Sequence, residues 1–219
     1  MKTARSSAKP ARAYIKRLER PKLWIVAGAN GSGKSSVYQD TEIEDTSGAA
    51  WIINPDILTA QIQDTEKLDL HSANVAAAER IFQWLQASIA AYQTIGVETV
   101  LSTDKYRPLI VEAQRKNFEI RLIYVILKSA ELNVERVALR VRSGGHDVPR
   151  EKIIDRRAKS LARLPWFLAR SDLALIYDNS GALPVEIARK AGETLDSTPN
   201  ALPEIRAAID IARKLQKRS

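Results

Sequence analysis

Residues 28–35 read Gly28-Ala29-Asn30-Gly31-Ser32-Gly33-Lys34-Ser35, which satisfies G-x-x-x-x-G-K-[ST] at every fixed position. The residue types follow from the chemistry of holding phosphate. Gly31 and Gly33 permit backbone angles and close approaches that a Cβ would forbid. Successive N–H groups then point inward, and the helix that follows adds its positive end, so phosphate oxygens can replace water. Lys34 is a compact cation within reach of β- and γ-phosphates, Ser35 offers a hydroxyl to Mg2+, and Ser36 is the candidate contact to the α-phosphate. Four fixed positions coincide by chance in roughly one of a hundred chains this long. Context raises the motif above chance: it follows the apolar run Leu23-Trp24-Ile25-Val26-Ala27, the pattern of a strand buried on both faces, and it opens a helical stretch. The expected ligands are ATP and Mg2+.

The rest of the chain alternates apolar runs with helical periodicity. Strands are expected at 50–53, 97–101, 120–127 and 173–177, with a weaker one at 185–190. Val75, Ala78, Phe82, Leu85 and Ile89 recur at three- and four-residue spacing and predict a long helix over 72–95. Further helices are expected at 107–116, 130–142, 150–168 and 201–217. Strands separated by helices imply right-handed crossovers, so the expectation is an α/β fold of the P-loop nucleoside-triphosphate hydrolase type. Its parallel sheet would have five strands, with helices on both faces. One domain over 22–219 is expected, because no linker or repeat interrupts it.

Composition narrows the function classes. The absence of cysteine excludes disulfides, thiolate metal sites and cysteine nucleophiles, and it fits a reducing compartment, hence a cytoplasmic expectation. Two histidines, His71 and His146, argue against a multi-histidine metal centre. No apolar run approaches the roughly 18–20 residues that span a bilayer, so no membrane partner is expected. The net charge of +8 suggests nucleic acid until it is located. Residues 1–22 hold eight Lys or Arg against Glu19 alone, which leaves the remainder near neutral. The basic tail, residues 1–21, reads as a solvated arm, and nucleic acid is an expected partner only through it.

Candidate acceptor residues lie beyond the loop. Asn54-Pro55-Asp56 follows the second strand, at the carboxyl edge where open parallel sheets bind ligands. Asp56 either accepts a proton from an acceptor hydroxyl or caps the following helix. Glu98 lies inside an otherwise apolar strand, a costly place for a carboxylate without a partner or a role. Ser102 and Asp104 read as turn residues, and Asp178-Asn179-Ser180 as an Asx-type turn with some nucleotide contact. The segment 136–157 gathers Arg136, Arg140, Arg142, His146, Arg150, Arg156 and Arg157 around Gly144-Gly145, the pattern of a hinged helical lid carrying guanidinium groups over phosphates.

Taken in order, GANGSGKSS at 28–36, Asn54-Pro55-Asp56, Glu98-Thr-Val-Leu-Ser102, RVRSGGHDVP at 140–149 and Asp178-Asn-Ser resemble the zeta toxin-like P-loop kinases over residues 22–180. That resemblance implies transfer of the ATP γ-phosphate to a hydroxyl of a small metabolite, with a nucleotide sugar such as UDP-N-acetylglucosamine among the candidates. It assigns Asp56 as base, Asn54, Glu98 and Ser102 to the acceptor, and Arg136 or Arg140 to the phosphates. It also implies an antitoxin-like protein partner. Two positions depart from the family: Val100 replaces a sugar-contacting threonine, and His146 stands at a second phosphate-binding arginine, for which Arg150, Arg156 or Arg157 could substitute. The competing readings are a nucleic-acid end kinase and a regulatory ATPase without a small acceptor.

Overall fold

The computed structural model describes residues 19–40, 44–45, 48–145 and 147–217. His146 and nearly all of the basic tail lie outside the described residues. In chain order the strands are β1 (Lys22–Ala27), β2 (Glu44–Asp45), β3 (Gly48–Ala49), β4 (Ile52–Ile53), β5 (Ile95–Thr99), β6 (Glu119–Ile126), β7 (Leu173–Asp178), β8 (Val185–Ala191) and β9 (Thr194–Ser197). The helices are α1 (Lys34–Asp40), α2 (Pro55–Glu66), α3 (Leu70–Ala90), α4 (Arg107–Arg115), α5 (Ala130–Arg142), α6 (Arg150–Arg170) and α7 (Pro203–Gln216). The main sheet runs β4-β5-β1-β6-β7-β8-β9, while β2 and β3 form a separate hairpin.

The expected α/β fold is present, but the sheet has seven strands instead of five and is mixed. Pairings from β4 through β7 are parallel, whereas β8 and β9 join antiparallel. The weak run at 185–190 is a full strand. The one after it escapes sequence reading because only Leu195 of its four residues is buried, which leaves almost no hydrophobic pattern to read.

β1 explains why the molecule is layered. All six of its residues are buried, and alternate side chains serve opposite faces. Leu23, Ile25 and Ala27 enter the large core with residues of α3, α4, α6 and α7. Trp24 and Val26 enter a smaller cluster with Val37 of α1. Helices therefore lie on both faces, as expected.

Boundaries shift where local chemistry outweighs periodicity. The long helix begins at Leu70 because Asp69 caps it, accepting from His71 N at 2.9 Å and Ser72 N at 3.1 Å. It ends at Ala90, five residues early, where Tyr92 adopts a positive φ. The third expected strand starts at Ile95 instead of Val97 and ends at Thr99, because Leu101 turns away with φ +61. A buried leucine in the left-handed region is rare, and it turns the chain at the lip of the cleft described below. Among the described residues no helix is long and apolar enough to cross a membrane.

Candidate active site

The phosphate loop connects β1 to α1 and is braced from four directions. Gly33 has φ +83, and a Cβ there would collide with the Asn179 amide. Gly31 has φ +75, and a Cβ there would approach Asn133 O to 2.5 Å. Both glycines are thus fixed by angle and by proximity. The same asparagines hold the loop: Asn133 Nδ2 donates to Asn30 O at 2.8 Å, and Asn179 Nδ2 donates to Ser32 O at 2.9 Å. Arg156 donates to Asn30 Oδ1 at 3.3 Å. Lys34 Nζ folds back on the loop, donating to Gly28 O at 2.9 Å and Ala29 O at 3.2 Å. Its burial pushes its pKa below the ordinary lysine value, an effect that the nearby carboxylates of Glu98 and Asp56 oppose.

Glu98 sits beside the loop in register with Val26 of β1. Its carboxylate accepts from Ser35 Oγ at 2.9 Å and Asn54 Nδ2 at 3.0 Å, and it pairs with Lys34 at 3.7 Å. A buried carboxylate in a strand therefore has its partners, and they are the lysine and serine of the phosphate motif. Expected to contact the acceptor, Glu98 lies against the phosphate loop and also lines the cleft with Asn54 and Asp56.

The choice left open for Asp56 is resolved on its capping side. Asn54 caps α2, its Oδ1 accepting from Asp56 N at 2.9 Å and Ile57 N at 3.3 Å. Asp56 occupies the first turn, exposed, with its carboxylate lining the cleft. That cleft, about 280 Å³, also takes in Lys34, Glu98, Ser102, Lys105, Arg140 and Arg156. A second cavity of about 530 Å³ shares Asn30, Asp56 and Arg156 with it and continues toward His71 and Lys152.

The arginines separate. Arg140 lines the cleft. Arg136, on the same face of α5, brings its Nη1 to within 3.8 Å of where a Cβ on Gly33 would lie. Arg156 reaches both the loop and the two cavities. Arg157 points elsewhere: it donates to Leu127 O at 3.0 Å and Glu204 at 3.2 Å, tying α6 to α7 and the end of β6. Arg150 is exposed at the start of α6 and is not among the residues lining either cavity. Asp104 is a structural turn residue, ion-paired to Arg107 at 3.0 Å and Arg163 at 3.2 Å.

Asn133 and Lys105 went unread in the sequence. Asn133 lies one turn into a helix whose other features are ordinary, and nothing in its neighbourhood signals a loop 103 residues away. Lys105 follows Asp104 in what reads as a plain polar turn. Asn179, part of the expected Asx turn, braces the loop backbone through Ser32 O; the turn is present, with Ser180 N donating to Asp178 Oδ1 at 2.9 Å.

The family model AAA_33, described as an AAA domain, matches residues 23–163. An uncharacterized protein of Haemophilus influenzae is 25% identical over 134 residues, 58% of this chain and 91% of that protein. Among solved structures, the AvrRxo1-ORF1:ORF2 complex with ATP is similar at a TM-score of 0.64 and 15% identity, over 88% of this chain and 64% of that one. The chain thus spans just under two thirds of that relative's length. The PezAT chromosomal toxin–antitoxin system of Streptococcus pneumoniae is similar at a TM-score of 0.56 and 14% identity, over 95% of this chain and 83% of that one. At these identities the structural likeness shows the fold.

Proposed function

This chain belongs to the AAA_33 family of AAA domains, and from that premise we propose that it is an ATP-dependent phosphotransferase acting on a hydroxyl of a small metabolite. The observation that carries the reading is the junction of two halves in one cleft: a braced phosphate loop on one wall and the Asp56 carboxylate on the other. A regulatory ATPase has no need of an exposed carboxylate at the carboxyl edge of the sheet facing Lys34, whereas transfer to a hydroxyl does.

In this reading the Asp56 carboxylate takes the proton of the acceptor hydroxyl. The acceptor oxygen forms a bond to the γ-phosphorus as the bond between that phosphorus and the β–γ bridging oxygen breaks, and ADP leaves. Lys34 gives up its contacts to Gly28 O and Ala29 O to meet the β- and γ-phosphates. Arg136 and Arg140, sharing one face of α5, close over the charge that spreads onto the transferring group. The residues present fit Mg2+: Ser35 Oγ and the Glu98 carboxylate, already 2.9 Å apart, form an all-oxygen set of the kind that completes its shell with phosphate oxygens and water. Bound there, the metal would supply Lewis-acid neutralisation of the β- and γ-phosphate oxygens. That assignment moves Glu98 from the acceptor to the metal side, and it leaves Asn54 as the residue linking the metal carboxylate to the helix that presents Asp56.

A nucleotide sugar is one acceptor compatible with the reading, as in zeta toxin-like kinases. A protein partner belongs to it as well, because AvrRxo1-ORF1 is solved with ORF2 and PezAT is described as a toxin–antitoxin system. Toxicity on expression that a co-expressed partner relieves would support this part.

The deciding experiment is Asp56→Asn. Phosphoryl transfer from γ-labelled ATP into a metabolite extract should fall about 10²–10⁴-fold, while ATP affinity by calorimetry stays within about threefold. Undiminished transfer in this variant would remove Asp56 as the base, and with it the two-sided site.

A further inference from the structure

The cleft holds four cations, Lys34, Lys105, Arg140 and Arg156, against the carboxylates of Asp56 and Glu98. Three of the four are accounted for by the donor side. Lys34 belongs to the loop and pairs with Glu98. Arg156 is hydrogen-bonded to Asn30 of the loop. Arg140 approaches from α5, and its field reaches Lys34. Lys105 is different in origin, because it enters from the β5–α4 connection, the segment that also contributes Ser102 and Thr103 to the same wall.

Among the described residues no carboxylate neutralises Lys105. Its sequence neighbour Asp104 is committed to Arg107 and Arg163. The one partner of the ammonium is the ring of buried Tyr106, 4.7 Å from Nζ to the centroid, which fixes its position without cancelling its charge. The residue as a whole is exposed, yet enough water is excluded around the ammonium to lower its pKa. The hydroxyls of Ser102 and Thr103 on the same wall make no hydrogen bond among the described residues. A positioned, uncompensated cation beside two unused hydroxyls is a receptor for an anionic oxygen group.

We propose that the phosphoryl acceptor is a hydroxyl compound that already carries a phosphate or carboxylate, and that Lys105, with Ser102 and Thr103, binds that group while Asp56 faces the hydroxyl. This inference rests on the phosphotransferase reading and deepens it. It makes Lys105 a specificity determinant against neutral polyols and sugars, since a neutral compound would leave the cation desolvated and unpaired.

The test begins with a deproteinised, nucleic-acid-free metabolite extract divided by anion exchange at neutral pH into retained and unretained fractions. Each fraction is incubated with the full-length protein and γ-labelled ATP, and label in organic products is counted apart from released inorganic phosphate. The expected result is label confined to the retained fraction. Label in the unretained, neutral fraction overturns the inference and leaves the kinase reading standing. Label in neither fraction overturns the kinase reading and the inference with it. With the labelled acceptor purified, Lys105→Ala should raise the acceptor KM about tenfold or more with a smaller change in kcat and an unaltered KM for ATP. Lys105→Arg should recover most of the loss. An acceptor KM that Lys105→Ala leaves unchanged, in a variant that melts like the wild type, overturns the role of Lys105.

Discussion

The two walls of the cleft, the donor and acceptor sides of the proposed reaction, are held by different means. The donor wall is a backbone loop whose carbonyls at Gly28, Ala29, Asn30 and Ser32 are each taken by a side chain of Lys34, Asn133 or Asn179. These braces come from α1, α5 and the end of β7, so three separate elements converge on it. The acceptor wall is made of side chains. Those of Asp56, Ser102 and Thr103 make no hydrogen bond or ion pair among the described residues. The donor is the same molecule in every turnover of a P-loop enzyme, and its phosphates present a fixed array, so a rigid cradle of N–H groups serves it. The acceptor wall leaves its polar groups open to whatever enters.

Glu98→Gln breaks this division most severely, because Glu98 stands where the walls meet. Glutamine retains an acceptor for Ser35 or Asn54 but removes the charge beside Lys34. If Glu98 serves the metal, kcat/KM should fall about a hundredfold or more, and the Mg2+ concentration for half-maximal rate should rise while the acceptor KM changes little. Rates measured across a Mg2+ titration check this. An acceptor KM that rises with the Mg2+ dependence intact would return Glu98 to the acceptor side, where the sequence reading had it.

Asn179→Leu attacks the donor wall alone. It removes the donor to Ser32 O while keeping a side chain of similar size against Gly33. Leaving that carbonyl unsatisfied should cost about 1–3 kcal/mol in stability. ATP affinity, measured by calorimetry, should fall about tenfold as the loop loses its preset shape. The acceptor KM should stay as it was. Equal losses for both substrates would mean that the walls are mechanically one unit.

The same contrast explains what could be read from the chain before folding. A loop that must present backbone N–H groups needs glycines at particular positions and a lysine and hydroxyl just after them, so its chemistry is compressed into Gly28–Ser36 and can be recognised locally. The parallel strands β1, β5 and β6 were recognisable for a related reason, since burial on both faces demands continuous apolar runs, and β7, buried only at Ala174 and Ile176, still carries the apolar run Leu173–Tyr177. β9 was not, because an edge strand with one buried residue carries almost no pattern. In the acceptor wall, Asn54 and Asp56 could be named but their roles were entangled, since either side chain is a good helix cap; only geometry shows that Asn54 takes the cap and frees Asp56. Arg157 and Arg156 are adjacent arginines with the same local sequence signal. A helical rotation of about 100° per residue separates them, sending one to the loop and the other to Glu204. Lys105 carried no signal at all, because its meaning lies in what fails to pair with it.

The smallest effect concerns how α6 is seated beside the phosphate loop. Tyr124 of β6 lies in register with Ala27, the residue that leads into the loop, and its hydroxyl shares a 3.0 Å hydrogen bond with Ser160 of α6, the helix that carries Arg156. Both partners are fully buried. Burial raises the Tyr124 pKa to about 12, the hydrogen bond shared with Ser160 opposing that rise. The folded-state value therefore lies above the roughly 10 expected of an unfolded tyrosine. Below pH 10 the phenol is neutral in both states and contributes nothing to pH dependence. As pH rises from 10 toward 12 the unfolded chain ionises first, so stability is lost over that window, reaching about 2 kcal/mol at its upper end. Tyr124→Phe should cost about 1 kcal/mol at neutral pH through the lost hydrogen bond, and should lack Tyr124's share of the alkaline loss, while buried Tyr106 and half-buried Tyr177, whose pKa values burial also raises, keep theirs. Urea midpoints for wild type and variant should thus lie apart at pH 7, meet between about pH 10 and 11, and cross above that, with the wild type the less stable of the two. Curves that stay parallel would mean that the phenol meets water and that α6 is seated less firmly than the loop it serves.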